Sequence, residues 1–282
     1  MKIETVGIIG AGTMGSGIAQ ACATCGFKVV MLDVSQSAVE KGLSTISTSL
    51  DRLIKKERLS LEQKAAAIEA IKGSTDYADL GSAQLVIEAA SENEAMKVKI
   101  LQQLDKQLGE EVIIATNTSS ISVTKLGAAT GRAERFIGMH FFNPVPIMTL
   151  VEIICGLQTS SETHAAVKAV AEQLGKTSIT VKNSPGFVVN RILVPMINEA
   201  FFVLAEGVAI PEDIDAGMKL GTNQPIGPLA LADMIGLDVC LAVMNVYMSE
   251  FNDNKYRPAP LLKELVAAGW LGRKTGRGVY QY

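Results

Sequence analysis

The sequence predicts an α/β protein, with a doubly wound, mostly parallel sheet in a first domain and an all-α second domain. A buried-looking strand runs straight into a glycine-rich turn and a helix. Strand and helix patterns then alternate as far as residue 182, and every later pattern is helical. Alternating strands and helices fold into a mostly parallel sheet with helices on both faces. We therefore place the domain boundary at the NSPG segment, giving domains 1–183 and 184–282.

The first element is the strand pattern IETVGII, residues 3–9, followed at once by GAGTMG and a helical pattern. The spacing Gly10-x-Gly12-x-x-Gly15 between strand and helix is typical of a Rossmann-type dinucleotide-binding turn. A second strand, KVVMLD, ends at Asp33, whose carboxylate would accept from ribose hydroxyls and repel a 2′-phosphate. The pattern predicts NAD rather than NADP, and the alternative is a glycine-rich turn without a ligand. The predicted cofactor-binding residues of this unit are Gly10, Gly12, Thr13, Met14, Gly15 and Asp33.

The later elements follow in chain order. Residues 35–71 are charged and helix-prone, which predicts an inserted helical hairpin that turns near residues 58–61. Further strands are predicted at 85–89, 112–116, 135–140, 149–154 and 177–182, with helices at 94–108 and 161–174. The second domain begins with a long helix from residue 184, followed by helices at 211–219, 228–250 and 259–268. These helices are apolar on more than one face, which predicts a homo-oligomer formed through the second domain.

Composition narrows the class of protein. The 282 residues are 48% hydrophobic and 20% charged, and the net charge of -3 gives no electrostatic reason to bind nucleic acid or anionic lipid. Apolar runs are too short to span a membrane, and no targeting segment is visible. Cys22 and Cys25 have the spacing of a redox motif or half a zinc site. The small-residue helix around them favours reduced thiols, no metal and a cytoplasmic location.

The segment GMHFFNPVP, residues 138–146, carries His140, one of two histidines. His140 ends a predicted strand, and ligands of doubly wound sheets bind at the carboxyl ends of strands. Glu152 lies on the next strand, which can return beside the first. A carboxylate beside an imidazole fixes its tautomer and favours its protonated form. With NAD, such a pair indicates hydride transfer coupled to proton transfer from a secondary alcohol. The alternative is a histidine with a structural role.

Five segments together resemble the 3-hydroxyacyl-CoA dehydrogenase family over essentially the whole chain. They are GMHFFNPVPIMTLVEII, NTSSIS, NSPGFVVNRILVPMINEA, DAGMKLG with PIGPLALAD, and GRKTGRGVY. The chain is most similar to the short bacterial members. The resemblance implies NAD-dependent interconversion of acetoacetyl-CoA and (S)-3-hydroxybutyryl-CoA. Two other hypotheses are a dehydrogenase of free hydroxyacids, in which lysine is the usual base, and a non-catalytic NAD-binding protein of the same fold.

The resemblance also implies catalytic roles for four residues. His140 is the general acid and base, and Glu152 orients it. Ser119 hydrogen-bonds the 3-oxygen of the substrate, and Asn190 polarises the substrate carbonyl. From the residues alone, Ser119 could instead cap a helix that begins near Ile121, and Asn190 could bond along its own helix.

The resemblance assigns the remaining binding residues in the same way. Glu92 and Lys97 meet the nicotinamide half of NAD, Asn117 lies near its ribose, and Asn143 supports the site on the cofactor side. Lys56, in the helical hairpin, contacts coenzyme A, although Lys55 adjoins it. The alternatives are that Glu92 is a first-turn acid of its helix and that the two lysines belong to a solvated helix face.

Overall fold

The structure is a computed structural model that describes residues 2–282. The chain forms two compact units, one ending at Ser184 and one extending from Pro185 to Tyr282. The first unit contains the strands β1 Thr5–Ile9, β2 Lys28–Leu32, β3 Ile71–Ser74, β4 Leu85–Glu88, β5 Ile113–Thr116, β6 Phe136–Phe141, β7 Leu150–Cys155 and β8 Thr177–Lys182. Its α-helices are α1 Thr13–Thr24, α2 Gln36–Ile54, α3 Leu61–Glu69, α4 Glu94–Gln107, α5 Val123–Ala128 and α6 Ser161–Gln173.

The strands of the first unit form one eight-stranded sheet in the order β3-β2-β1-β4-β5-β6-β7-β8. All neighbours are parallel except β6 and β7, which are antiparallel. The predicted doubly wound, mostly parallel sheet is therefore confirmed. The strand order changes direction between β1 and β4, and such a switch point opens a binding crevice at the carboxyl ends of the strands.

The central strands read as continuous apolar runs because helices cover both faces of the sheet. Every residue of β1, β4 and β5 is buried. Ile8, Ile87 and Ile114 are completely shielded from solvent. A fully buried side chain of this size stabilises the fold by about 1.5–3 kcal/mol, so these strands hold the loops at their ends on a rigid frame.

The helical hairpin is present, but its helices begin and end at residues that differ from the prediction. Helix α2 ends at Ile54, and α3 begins at Leu61 after Ser60, which forms a capping box with Gln63. The last residue of the predicted hairpin, Ile71, and the three residues that follow it instead form β3 at the edge of the sheet, paired with β2. A four-residue strand with one glycine is too short to show the alternation that marks an edge strand.

The second unit is all-α, as predicted, except for its C-terminal segment, where isolated β-bridges pair Gly272 with Arg277 and Arg277 with Gln281. Its helices are α7 Val189–Ala205, α8 Pro211–Gly221, α9 Pro228–Ile235, α10 Leu237–Phe251 and α11 Pro260–Ala267. The predicted start of α7 at residue 184 is wrong, because Gly186 and Phe187 adopt positive φ values of 75° and 53°. The single helix predicted over 228–250 is also wrong. Gly236, with φ of 107°, separates α9 from α10, and the two axes are bent by 97°.

Within residues 2–282, no individual helix is both long and apolar enough to cross a bilayer. Helices α9 and α10 meet the length and composition criteria only when they are joined across their bend. Both contribute side chains to the core of the second unit, among them Leu229, Leu237 and Cys240.

Candidate active site

The glycine-rich turn joins β1 to α1 with little room for side chains. A Cβ at Gly10 would lie 2.8 Å from the carbonyl oxygen of Ala89, and the φ of Gly10 is +102°. A Cβ at Gly15 would lie 1.7 Å from the carbonyl oxygen of Gly10. At Gly12, the N-cap of α1, nothing lies within 4 Å of the Cβ position. The open space in front of the helix N-terminus fits a pyrophosphate, and α1 itself begins at Thr13.

Asp33 follows β2 and faces the glycine-rich turn. Its Oδ2 accepts a hydrogen bond from the backbone N–H of Ala11 at 2.7 Å, and its Oδ1 accepts one from Val34 at 2.7 Å. The side chain of Val34, beside it, is 94% exposed. The carboxylate is therefore held next to the turn that the sequence assigns to the pyrophosphate, with both oxygens oriented by backbone amides.

His140 and Glu152 face each other on the antiparallel strands β6 and β7, in direct register. The imidazole Nδ1 lies 2.6 Å from Oε2 of Glu152. Glu152 is fully buried, and His140 is 6% exposed. The predicted return of the second strand beside the first therefore brings the two side chains into contact. A pair this short and this buried fixes the orientation of the ring.

Aromatic and amide groups support the end of β6. Phe141 belongs to the core of the first unit, and the ring of Phe142 lies 4.5 Å from that of His140. The side-chain oxygen of Asn117 accepts a hydrogen bond from the backbone N–H of Phe141 at 2.9 Å. Asn117, which directly follows β5, therefore connects the predicted nicotinamide side of the site to the histidine strand.

The Thr-Ser-Ser turn after β5 closes around one carboxylate oxygen. Oε1 of Glu92 accepts hydrogen bonds from the Thr118 hydroxyl at 2.6 Å, from the Ser119 backbone N–H at 2.8 Å and from the Ser120 backbone N–H at 3.1 Å. The Ser119 hydroxyl is 3.2 Å from the same oxygen. Although burial opposes ionisation of Glu92, the Lys97 ammonium and these hydrogen bonds hold the pKa of its carboxyl below the usual value.

Two of the alternative interpretations are wrong in the structure. Helix α5 begins at Val123 and its cap is Ser122, whose side chain accepts from the Lys125 N–H, so Ser119 does not cap it. Helix α4 begins at Glu94 after the cap Asn93, so Glu92 lies before the helix and is not a first-turn acid. Both polar residues are directed instead to the turn at the carboxyl edge of the sheet.

Lys97 lies in a fully buried ion pair that the sequence did not predict. Its Nζ is 2.8 and 2.9 Å from the two carboxylate oxygens of Glu88 and 3.3 Å from the carbonyl oxygen of Ala90. The side chains of Lys97 and Glu88 are both 0% exposed. Oε2 of Glu92 lies 3.6 Å from the same ammonium. The structure thus brings Lys97 and Glu92 together, with Glu88 on the inner side.

A cavity of about 460 Å³ lies beside the glycine-rich turn, between α1, α2 and the loop after β6. Thr13 and Asn143, both predicted to be on the cofactor side, belong to its wall. Helix α2 adds hydroxyl groups and two cations to the wall: Ser44, Thr45, Thr48, Ser49, Lys41 and Arg52. These α2 residues were not predicted from the sequence, although hydroxyl groups recurring at three- and four-residue intervals could have indicated one polar helix face.

The remaining predicted residues are Lys56, with the adjoining Lys55, and Asn190 and Met14. Lys55 is the C-cap of α2 and Lys56 follows it, and both side chains are exposed. Asn190 is the second residue of α7, in the second unit. Met14 packs against the core of the first unit, so it contributes to the turn through its backbone and its packing.

The two cysteines with C-x-x-C spacing lie at the C-terminal end of α1. Cys22 is buried in α1, where burial raises the pKa of its thiol to about 12, and Cys25 caps the same helix. All four cysteines are unbridged thiols. Across residues 2–282, no group of three or more His, Cys, Asp or Glu side chains has a geometry that could hold a metal ion.

Both units match models of one protein family. Residues 5–184 match the NAD binding domain of 3-hydroxyacyl-CoA dehydrogenase, and residues 186–282 match the C-terminal domain of the same family. A probable 3-hydroxybutyryl-CoA dehydrogenase of Bacillus subtilis is 50% identical over 282 residues, covering 100% of this chain and 98% of that protein. A 3-hydroxybutyryl-CoA dehydrogenase of Bradyrhizobium diazoefficiens is 51% identical over 99% of this chain and 96% of that protein.

A solved structure agrees with these matches. The crystal structure of an (S)-3-hydroxybutyryl-CoA dehydrogenase from Ralstonia eutropha superposes with a TM-score of 0.98 at 70% identity, covering 100% of this chain and 99% of that one. The chain therefore belongs to the 3-hydroxyacyl-CoA dehydrogenase family of NAD-dependent oxidoreductases. The resemblance and the cofactor inferred from the sequence are both confirmed.

Proposed function

We propose that this member of the 3-hydroxyacyl-CoA dehydrogenase family interconverts acetoacetyl-CoA and (S)-3-hydroxybutyryl-CoA. The observation that carries the proposal is the buried His140–Glu152 pair, with Nδ1 and Oε2 2.6 Å apart, at the carboxyl end of β6. The names of the full-length relatives support the choice of the four-carbon thioester. NAD, when bound, supplies the acceptor or donor of hydride.

Proton transfer is assigned to His140. Because Nδ1 faces the carboxylate of Glu152, the nitrogen that exchanges a proton with the 3-oxygen of the substrate is Nε2. A neutral ring accepts the proton as the alcohol is oxidised, and an imidazolium returns it when the ketone is reduced. The buried Glu152 carboxylate keeps the Nδ1 proton in place and stabilises the imidazolium that forms.

Two residues are assigned to substrate orientation. Ser119 hydrogen-bonds the 3-oxygen, and its backbone N–H and hydroxyl are already ordered by Glu92. Asn190 is assigned to the substrate carbonyl on the family resemblance alone. Orientation of this kind lowers the entropic part of the barrier, because the reacting atoms are held at contact distance before the chemical step.

The coenzyme is assigned to the carboxyl edge of the sheet. The open space at Gly12 and the N-terminus of α1 support this assignment for the pyrophosphate, and Asp33, beside the same turn, is assigned to accept from the adenosine ribose. Glu92 and Asn117 are assigned to the nicotinamide half. Because Lys97 is fully enclosed, its contribution runs through the carboxylate of Glu92, 3.6 Å away.

Selection of the coenzyme is tested at Asp33. The variant Asp33→Ala removes the negative charge that repels a 2′-phosphate, so it should weaken NADH binding and bring the turnover rates with NADH and NADPH closer together. The measurement is kcat/KM with each coenzyme. An unchanged ratio would mean that another residue of the loop after β2 discriminates between them.

Coenzyme A is assigned to the polar cavity beside α2. Hydroxyl groups with Lys41 and Arg52 suit a phosphorylated ligand, and the exposed Lys56 extends this positive edge past the end of the helix. Which of Lys55 and Lys56 contacts the ligand is decided by single Lys→Met variants. The one that raises the KM for the thioester while the KM for NADH stays constant is the contact.

Assembly and location complete the proposal. The second unit has large apolar side chains on its surface, including Ile192 at 67% and Leu220 at 85% exposed. Apolar surface of this kind favours a homodimer formed through the helical unit, which sedimentation of the purified protein tests. The four unbridged thiols support a cytoplasmic location.

The first experiment follows NADH absorbance after addition of acetoacetyl-CoA, with NADPH and free acetoacetate in parallel. Rapid loss of NADH with the thioester alone is the expected result. Activity with the free acid but not with the thioester would overturn the coenzyme A assignment in favour of a free-hydroxyacid dehydrogenase. Tight NADH binding without activity on either compound would favour a protein that binds the coenzyme without catalysis.

A further inference from the structure

Glu88 is a buried charged residue with no role in the proposed proton or hydride transfer. It is the last residue of β4, and its side chain is 0% exposed. Both of its carboxylate oxygens accept from the Lys97 ammonium. One also accepts from the Ala90 backbone N–H at 2.7 Å, and the other from the Thr116 hydroxyl at 2.7 Å. Groups from the loop after β4, from α4 and from β5 thus converge on one carboxylate.

A fully buried ion pair is a poor way to stabilise a fold. Removing two charges from water costs more than their attraction usually returns, and apolar replacements of such pairs are often as stable or more stable. The satisfied hydrogen bonds around Glu88 make the pair rigid, which is what a group that must hold another in place requires. The pair therefore needs an explanation other than stability.

The ammonium of Lys97 also faces the coenzyme side of the site. It lies 3.6 Å from Oε2 of Glu92, whose side chain is 37% exposed. The other oxygen of Glu92 accepts from Thr118 and from the backbone of Ser119. Fixing the position of the ammonium therefore fixes the position of the one carboxylate in the group that reaches solvent.

We infer that Glu88 is a positioning residue of the coenzyme site, which holds Lys97 in place and through it orients the Glu92 carboxylate toward the nicotinamide half. The inference rests on the proposed contact between Glu92 and the coenzyme. In this arrangement Glu88 holds the Lys97 ammonium in place, Lys97 holds the Glu92 carboxylate, and Glu92 contacts the coenzyme.

A double-mutant cycle on NADH affinity tests this assignment. The variants are Glu88→Gln, Glu92→Gln and the double variant, with the dissociation constant of NADH measured by the fluorescence of the bound coenzyme. Each single change should raise the constant by about tenfold, the effect of losing a hydrogen bond to a charged group. The double variant should bind as weakly as Glu92→Gln alone, because the first change acts through the second residue.

A milder variant covers the case in which Glu88→Gln does not fold. Thr116→Val removes one donor to Glu88 and leaves the ion pair and the side-chain volume intact. It should raise the NADH constant by about fivefold alone and leave it unchanged in the Glu92→Gln background. The matched control is Glu94→Gln. Glu94 lies on the first turn of α4, the helix that carries Lys97, and the variant breaks its exposed ion pair with Lys125, so NADH affinity should stay at the wild-type value.

Each remaining outcome contradicts the inference in a recognisable way. If the effects of Glu88→Gln and Glu92→Gln multiply, giving about a hundredfold in the double variant, Glu88 acts independently of Glu92. If Glu88→Gln lowers thermal stability but leaves NADH affinity unchanged, the pair is structural only. If Glu92→Gln itself leaves NADH affinity unchanged, the proposed coenzyme contact fails together with the inference. Turnover of acetoacetyl-CoA by the unmodified protein tests the proposed reaction separately.

Discussion

Two buried carboxylates at the carboxyl edge of the sheet each hold one basic side chain, and the two basic side chains differ in their chemistry. On β6 and β7, Glu152 lies 2.6 Å from the imidazole of His140. At the end of β4, Glu88 holds the ammonium of Lys97 at 2.8 and 2.9 Å. Both carboxylates are completely shielded from solvent. The geometry of the two pairs is similar, and the chemistry of the basic partner is not.

The difference lies in what the basic partner can do near neutral pH. An imidazole gains and loses a proton in this range, so a carboxylate beside it controls a group that can exchange protons with a substrate. An ammonium keeps its proton, so a carboxylate beside it can only fix the position of a charge. The first pair therefore suits proton transfer, and the second suits support of the coenzyme site.

The largest expected effect comes from removing the imidazole. His140→Ala should lower kcat by about 10³- to 10⁴-fold, because no other group takes the proton, while the NADH dissociation constant stays near the wild-type value. His164→Ala is the matched control, since His164 is the other histidine and is a partly exposed residue whose ring contacts the Thr180 hydroxyl. An unchanged kcat in His140→Ala would show that His140 takes no part in proton transfer, and the proposed difference between the two carboxylate pairs would fail.

The next effect comes from neutralising the carboxylate beside that imidazole. Glu152→Gln keeps the shape of the side chain but loses the charge that stabilises the imidazolium, so kcat should fall by about 10²-fold. NADH affinity should stay constant, in contrast to the result expected for Glu88→Gln. Steady-state kinetics and an NADH titration on the same preparations separate the two. If Glu152→Gln weakens NADH binding as much as it slows turnover, the two pairs do not have separate tasks.

The loss of folding stability should be larger for a variant of the Glu88–Lys97 pair than for a variant of the His140–Glu152 pair, which is the reverse of the order expected for kcat. Lys97→Met leaves the buried Glu88 carboxylate without its cation and should lower the free energy of unfolding by about 3–5 kcal/mol. Glu152→Gln should cost less, because the amide that replaces the carboxylate can still hydrogen-bond to the imidazole and no charge is left buried without a partner. The control is Lys99→Met, an exposed lysine on the same helix, which should change the free energy by less than about 0.5 kcal/mol. Urea denaturation measures all three, and equal losses for Lys97→Met and Lys99→Met would contradict the account.

The smallest effect concerns acid stability at Glu92. Its carboxyl has a pKa below the usual 4.5, so its charge stabilises the folded state above about pH 4.5, and this contribution is lost as the pH falls through the folded value. The difference in unfolding free energy between wild type and Glu92→Gln should therefore be constant near neutral pH and shrink in acid. The carboxylate is partly exposed, so we expect less than about 1 kcal/mol. A difference that grows in acid would contradict the lowered pKa.

Much of the fold was predictable because its signals are local. A strand followed by three spaced glycines and a helix specifies the β1–α1 turn, and continuous apolar runs specify the central strands. The predictions fail where the backbone conformation of a single residue determines where a helix begins or ends. Gly236 breaks a helical pattern that is otherwise continuous, and Phe187 takes a positive φ that its side chain does not favour. Neither departure changes the hydrophobic period on which the prediction depends.

The site was predictable in part for a similar reason. The register of two neighbouring strands places His140 opposite Glu152, and the sequence predicts that these strands lie side by side. Glu88 and Thr116 escaped prediction because each looks like an ordinary strand residue. Only the order of β4 and β5 in the sheet brings their side chains 2.7 Å apart. The polar face of α2 is evident in the sequence, but its position beside the glycine-rich turn follows only from the fold.

The most direct test of the central claim, that Glu152 sets the proton-exchanging nitrogen of His140, is the tautomer of that ring. The chain has only two histidines, so nitrogen-15 NMR of histidine-labelled protein resolves both rings, and His140→Ala assigns them. At a pH where the ring is neutral, the account predicts that His140 carries its proton on Nδ1 and that this preference weakens in Glu152→Gln. A neutral His140 with its proton on Nε2, unaffected by Glu152→Gln, would contradict it.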